Sequence, residues 1–159
     1  MHKRIILVGK AASGKDFLRK KLESSGFKYA VSYTTRPPRE GEVEGKDYFF
    51  LNSEQAVGMI AGNEFFEYVK FNGWLYGTTN KQWQEDDVFI MTPAGISHIG
   101  PEDRKQCLIM FIDISIDARR SRLNSRDMPG DSMSRRILAD ESDFKDFTNY
   151  DIRITNPDF

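Results

Sequence analysis

Ile5-Ile6-Leu7-Val8-Gly9-Lys10-Ala11-Ala12-Ser13-Gly14-Lys15-Asp16 decides the fold. A short apolar run feeds directly into a glycine-rich loop that ends in lysine. Gly9 and Gly14 allow backbone angles that a side chain would forbid, so the loop can turn its N–H groups inward toward a bound anion. A helix starting near Gly14 adds the partial positive charge of its N-terminus. Lys15 supplies a full charge where the β- and γ-phosphates of a nucleotide would lie. The strand expected over 5–8 and an amphipathic helix carried by Phe17, Leu18, Lys21 and Leu22 complete a strand–loop–helix unit.

The spacing is G-x-x-x-x-G-K, the Walker A phosphate loop. Gly9, Ala11, Ala12, Ser13, Gly14 and Lys15 are therefore expected around the phosphates of a nucleotide. The motif carries Ser or Thr after the lysine, whose hydroxyl ligates Mg²⁺; Asp16 stands there instead.

Outward from this loop, the 159 residues suffice for one domain with a real core, and the 12 Phe, 6 Tyr and 2 Trp predict an aromatic one. A net charge of −1 argues against a nucleic-acid or membrane partner bound through a broad basic surface. The single cysteine, Cys107, excludes an intramolecular disulfide and a cysteine metal cluster, and reads as a buried strand residue. Met1-His2-Lys3-Arg4 leads into too few apolar residues for a signal peptide, and the longest apolar stretch, 108–112, is too short to span a bilayer. The expectation is a soluble, cytoplasmic protein; its oligomeric state is open.

Continuous apolar runs at 5–8, 29–32, 88–92, 108–114 and 152–155 predict strands of a parallel sheet covered on both faces. Helices fit at 94–99, 117–123 and 132–145. The fold class is thus α/β, a three-layer P-loop NTPase arrangement with a central parallel sheet, binding ligands beyond the carboxyl ends of its strands. Residues 33–79 differ in being rich in aromatics, Arg, Glu and Gly. A strand at 48–51, a helix at 53–61 capped by Ser53, and a hairpin of 65–71 with 74–76 about Asn72-Gly73 are expected there. The reading is one domain: a core of 1–32 and 80–159, with a lid at about 124–134, and a mixed α/β insertion at 33–79. Trp74 and Trp83 are expected to pack rather than to stack on a ligand.

Ser32-Tyr33-Thr34-Thr35-Arg36-Pro37-Pro38-Arg39-Glu40-Gly41-Glu42 begins a second anion site. Arg36 and Arg39 offer two guanidinium forks, the prolines stiffen the segment, and Tyr48 adds a hydroxyl; together they suit a phosphate monoester, with a solvated turn as the alternative. The stretch from Ser32 to Tyr48 resembles the monophosphate-binding signature of the guanylate kinase family, S-x-T-T-R-x-P-R-x-G-E-x-x-G-x-D-Y. Asn63-Glu64-Phe65-Phe66-Glu67 and Tyr76-Gly77-Thr78 resemble the same family's N-E-F-x-E and Y-G-[ST]. The resemblance covers nearly the whole chain. It implies that Arg36, Arg39, Tyr48 and Tyr76 hold the phosphate of GMP and that Ser32, Glu67 and Thr78, beside Gly77, face the guanine. A carboxylate at Glu67 can accept from guanine N1–H and N2–H₂, which adenine does not offer.

Arg122-Leu123-Asn124-Ser125-Arg126 resembles the family's R-L-x-x-R, and Arg136, with Arg135 as a near alternative, its later lid arginine. The implied lid closes over ATP, excludes water and brings arginines to the transferring phosphoryl group. Lys15, Arg36, Arg126 and Arg136 are the candidate catalytic residues, with Mg²⁺ bridging phosphates; Arg122, Arg126 and Asn156 join the ATP side. His2 and His98 have no required role. The chain departs from the family pattern at Ile90 and Thr92, where acids of a D-x-D pattern belong, and at Asp16. Asp16 is accordingly the candidate metal ligand, with Asp113 a second acid whose alternative is a cap or turn. A final family helix is expected to be missing after 159. The resemblance implies transfer of the γ-phosphoryl group of ATP to GMP or dGMP. The alternatives are a kinase of altered base preference and a catalytically silent nucleotide-binding or interaction module.

Overall fold

The computed structural model describes residues 3–124 and 133–159. In chain order it contains β1 (Arg4–Gly9), α1 (Lys15–Ser24), β2 (Tyr33–Thr34), β3 (Phe49–Phe50), α2 (Ser53–Ala61), β4 (Phe65–Phe71), β5 (Trp74–Thr79), α3 (Asn80–Glu85), β6 (Val88–Ile90), α4 (Pro93–Ile96), α5 (Pro101–Arg104), β7 (Cys107–Ile112), α6 (Ile116–Asn124), α7 (Met133–Asp143) and β8 (Ile152–Ile154). Two four-stranded sheets result.

The first has the order β6-β1-β7-β8 and is parallel throughout, as the unbroken apolar runs predict. Ile5 stands beside Val88 on one side and Leu108 on the other, so β1 is central and its carboxyl end delivers the phosphate loop to the sheet edge where ligands bind. Ile6, Val8, Phe89, Ile109 and Phe111 pack with Trp83, Met91 and Ile96 into the main core. Trp83 packs as expected: its ring stacks on Phe66 at 4.0 Å, and the Arg4 guanidinium covers it at 4.4 Å while donating to the Trp83 carbonyl at 2.6 Å. Trp74 ends the hairpin, partly exposed, and Cys107 is only half-buried at the start of β7.

The second sheet, β3-β2-β5-β4, is mixed, with β2 parallel to β3 and antiparallel to β5. The expected hairpin forms from β4 and β5, and its Asn72-Gly73 turn takes positive φ at both residues (53° and 80°), as a tight hairpin requires. Four local expectations need correction. Residues 29–32 are no strand: Tyr29 makes one bridge to Val88, after which the chain leaves the first sheet and the Ser32 carbonyl accepts from Phe49 N–H at 2.9 Å. The cap of α2 is Asn52, not Ser53. Its side chain accepts from Gln55 N–H at 2.7 Å while the Gln55 side chain accepts from Asn52 N–H at 2.8 Å, a reciprocal box that satisfies two orphan donors. The helix expected at 94–99 stops at Ile96, and the 48–51 strand shrinks to two residues. Among the described residues no helix is long and apolar enough to cross a membrane.

Candidate active site

The carboxyl end of β1, the start of α1 and the concave side of the second sheet enclose one cavity of about 1050 Å³. This exceeds the several hundred Å³ that a single small ligand fills.

One wall is the phosphate loop. Gly14 caps α1 with φ 103° and no side-chain hydrogen bond, so the first-turn N–H groups face the cavity. Gly9 is needed for close approach: a Cβ there would lie 2.5 Å from Ser13 Oγ and 2.8 Å from the Ile112 carbonyl. Ala12 takes φ 60°, a left-handed conformation that costs a residue with a side chain. The Lys15 ammonium donates to the Gly9 carbonyl and, at 3.3 Å, to that of Lys10, so it lies folded against its own loop. Ala11, Ala12, Ser13 and Asp16 line the same wall. Arg122 lines it too and holds its backbone, donating to the Ala12 carbonyl at 3.0 Å and to that of Pro157 at 3.1 Å. Asn156 is exposed and accepts from Asp158 N–H at 2.9 Å; its neighbours Pro157, Asp158 and Phe159, not Asn156, reach the cavity.

Asp16 points along α1 to Arg19, with which it forms a short ion pair, and to Lys20 at 3.2 Å. Arg19 is itself buried, stacked over Tyr29 at 4.6 Å and paired with Glu23 at 2.7 Å. Burial disfavours the Asp16 carboxylate, but Arg19 and Lys20 outweigh it and hold the carboxyl below its ordinary range. Among the described residues no three His, Cys, Asp or Glu side chains gather as a metal cluster. Asp113 is engaged by Arg153, at 2.6 and 3.0 Å.

The opposite wall comes from the second sheet and the loop after β2. Arg36 is buried, and Glu42 grips its guanidinium with two hydrogen bonds of 2.8 Å while accepting from Arg39 N–H at 2.6 Å. The ring of Tyr48 lies 5.1 Å from the same guanidinium, and Tyr76 meets Tyr48 edge-on at 6.0 Å. Burial opposes ionisation of Glu42, and Arg36 and Arg39 overcome it and hold its carboxyl low. Glu42 is the organiser here, which the sequence reading missed although its motif contains it.

Glu67, on β4, is only 7% exposed. Burial pushes its carboxyl up to about 7, against the lowering hydrogen bond of Thr78 and charge of His98. Thr78 stands beside Glu67 on the neighbouring strand β5 and does not itself line the cavity; Ser32 and Gly77 do. Gly95 was also missed. A Cβ there would approach Glu67 Oε2 to 2.9 Å, so its missing side chain leaves the carboxylate its place. Thr92 spends its hydroxyl on Gly95 N–H at 3.0 Å, and Ile90 and Met91 give that side of the cavity an apolar lining. Arg136, on α7, lines the cavity, while Arg135 lies over Phe71 at 5.3 Å. Arg126 and most of the expected lid fall outside the described residues.

A phosphate loop on a parallel sheet, faced across one cleft by an arginine–carboxylate cradle, defines a P-loop nucleotide-binding protein. The profile of the family described as "Guanylate kinase" matches residues 1–159. The chain is 33% identical to guanylate kinase of Sus scrofa over 151 residues, covering 89% of this chain and 76% of that one. It is 35% identical to guanylate kinase of Legionella pneumophila (strain Lens) over 164 residues, with 97% and 78% covered. The crystal structure of guanylate kinase from Anaplasma phagocytophilum shares its fold, with a TM-score of 0.74 at 22% identity over 98% of this chain and 77% of that one. The chain belongs to the guanylate kinase family.

Proposed function

We propose that this protein transfers the γ-phosphoryl group of ATP to GMP or dGMP, giving ADP and the corresponding diphosphate. The observation that carries the reading is one cavity with the Gly9–Lys15 loop on one wall and Arg36, Arg39 and Glu67 on the other. In this reading residues 33–79 form the arm that takes the monophosphate, and 1–32 with 80–159 form the core and lid. The setting is the cytoplasm, where both nucleotides are available.

The loop amides and Lys15 bind the triphosphate tail. Arg36, ordered by Glu42, holds the acceptor phosphate with Arg39, Tyr48 and Tyr76, and Glu67 reads the base edge from beside Ser32, Gly77 and Thr78. An oxygen of the acceptor phosphate attacks the γ-phosphorus in line and the β–γ bridging oxygen leaves on ADP. That oxygen is already anionic, so no side chain need remove a proton, and positioning with charge neutralisation carries the step. Arg136, together with Arg126, meets the charge that develops on the equatorial oxygens. Mg²⁺, when bound, neutralises phosphate charge. Such ions are held by one or two carboxylates plus phosphates and water, and Asp16, a hard oxygen ligand on the cavity wall beside Lys15, would hold one in that mode by exchanging its pairs with Arg19 and Lys20 for the ion.

A coupled assay of ADP release over the ribo- and deoxyribonucleoside monophosphates tests the reading. Turnover dependent on GMP and Mg²⁺ supports it, and binding without turnover would favour a silent module. A second reading, a kinase of wider base acceptance, is favoured by Thr92: its hydroxyl serves Gly95 and it brings no carboxylate to that side of the cavity. Comparable rates with GMP and IMP in the same assay would select it.

A further inference from the structure

Asp140 lies on α7, one turn beyond Arg136 and on the same face; both line the cavity. Its Oδ2 accepts from the N–H of Ala11 in the phosphate loop at 3.0 Å and sits 3.5 Å from Arg119 Nη1 on α6. Both charged groups are buried, with 9% and 4% exposure. The ion pair is long, and Arg119 Nε is buried with no hydrogen-bond partner among the described residues. A buried pair of such geometry gains little over apolar side chains of the same size, so stability does not account for it. What the pair does by position is join three elements through one carboxylate.

The joint acts on a particular part of the loop. Asp140 takes the amide of Ala11, while Arg122 of α6 takes the carbonyl of Ala12. Leu123 of α6 packs on Ala11 and Ala12. The held residue, Ala12, is the one in the left-handed conformation at φ 60°. Such a conformation persists in a residue with a side chain when its surroundings over-determine it. We propose that Asp140 is a positioning residue for ATP: tied to Arg119, it clamps the phosphate loop from α7 and so fixes both the cradle's shape and the approach of Arg136. The clamp is a feature of the protein alone; its consequence for ATP rests on the function proposed above.

The experiment compares wild type, Arg119→Leu/Asp140→Ala and Arg119→Leu/Asp140→Asn. The alanine double variant replaces the pair by apolar groups, so no buried charge is stranded and the fold is kept; thermal melting checks this. In nucleotide-free protein, amide exchange over residues 9–16 is expected to speed by about tenfold in the alanine double variant, because local opening becomes easier. KM for ATP is expected to rise by roughly fivefold or more, with KM for GMP within about twofold, since only one substrate's binding is touched. Asp140→Asn, made on the Arg119→Leu background so that no buried charge is stranded, keeps an oxygen for Ala11 N–H and is expected to restore both readouts toward wild type. Unchanged loop exchange overturns the clamp whatever the nucleotide. Faster exchange with an unchanged KM for ATP, a parallel rise in both KM values, or failure of Asp140→Asn to rescue overturns the positioning role. A wild type that turns over no ATP instead removes the function reading, and with it the role for ATP.

Discussion

Glu67 links stability, pH and base recognition. Its carboxyl stands at about 7 in the folded chain against an ordinary 4.5, because burial outweighs the help of Thr78 and His98. Below pH 4.5 the group is neutral folded and unfolded, and the folded state keeps its full advantage. Between 4.5 and 7 the unfolded chain ionises first, and above 7 the folded carboxylate bears the whole desolvation cost. Stability is therefore lost as pH rises through this window. From 4.5 to about 7, at 1.36 kcal/mol per pKa unit, the loss is about 3 kcal/mol by pH 8. Urea denaturation of wild type and Glu67→Gln from pH 4 to 8.5 isolates this contribution, since other groups cancel in the difference. Guanine binding runs the other way, because N1–H and N2–H₂ need the ionised form. The value of kcat/KM for GMP should fall with unit slope below about pH 7, the free-enzyme pKa governing that profile. Glu67→Gln should lose about 100-fold at pH 8, the worth of hydrogen bonds to a charged group, and less as pH falls. The GMP phosphate titrates near pH 6, so the variant is the reference here too. A wild-type to variant ratio that is flat from pH 5.5 to 8 refutes the reasoning.

Three further outcomes test the site. Gly95→Ala places a Cβ 2.9 Å from Glu67 Oε2 and should raise KM for GMP by roughly tenfold with KM for ATP unmoved, overpacking of this kind costing about 1–3 kcal/mol; steady-state kinetics checks it. Glu42→Ala strands the buried Arg36 and should cost about 3 kcal/mol of stability, as unpaired buried charges do, along with GMP binding; thermal melts with and without GMP read both. Asp16→Ser should raise the Mg²⁺ concentration needed for half-maximal rate by severalfold if the carboxylate serves the metal. Tighter ATP with an unchanged Mg²⁺ curve sinks that role.

What the sequence made legible was what depends on local chemistry. Apolar continuity at β1, β6 and β7 announced a buried parallel sheet, Asn72-Gly73 announced the hairpin of the second sheet, and the spacing of Gly9, Gly14 and Lys15 announced the loop. What escaped is non-local. Residues 29–32 have the composition of a strand, but whether they pair is settled by Phe49, some twenty residues on. Asn52 and Ser53 are both good caps, and Gln55 decides between them by returning a hydrogen bond to Asn52. Asp140 sits in a charged helix where nothing marks it from Glu141 or Asp143; its meaning comes from Ala11, which the fold brings beside it.

The same distinction bears on the carboxyl end of β6. Ile90 and Thr92 put no negative charge there, next to the carboxyl end of β1. Three acids of the cavity are held by a cationic or amide partner: Asp16 by Arg19, Glu42 by Arg36, and Asp140 by Arg119 and Ala11. Glu67 departs from this pattern, because its neighbours are a hydroxyl, a glycine and an exposed imidazole. A carboxylate so weakly compensated gains from a ligand that brings its own donors. The base end of the cleft thus draws its discrimination from a charge left short of partners, whereas the phosphate end relies on charges already held in place.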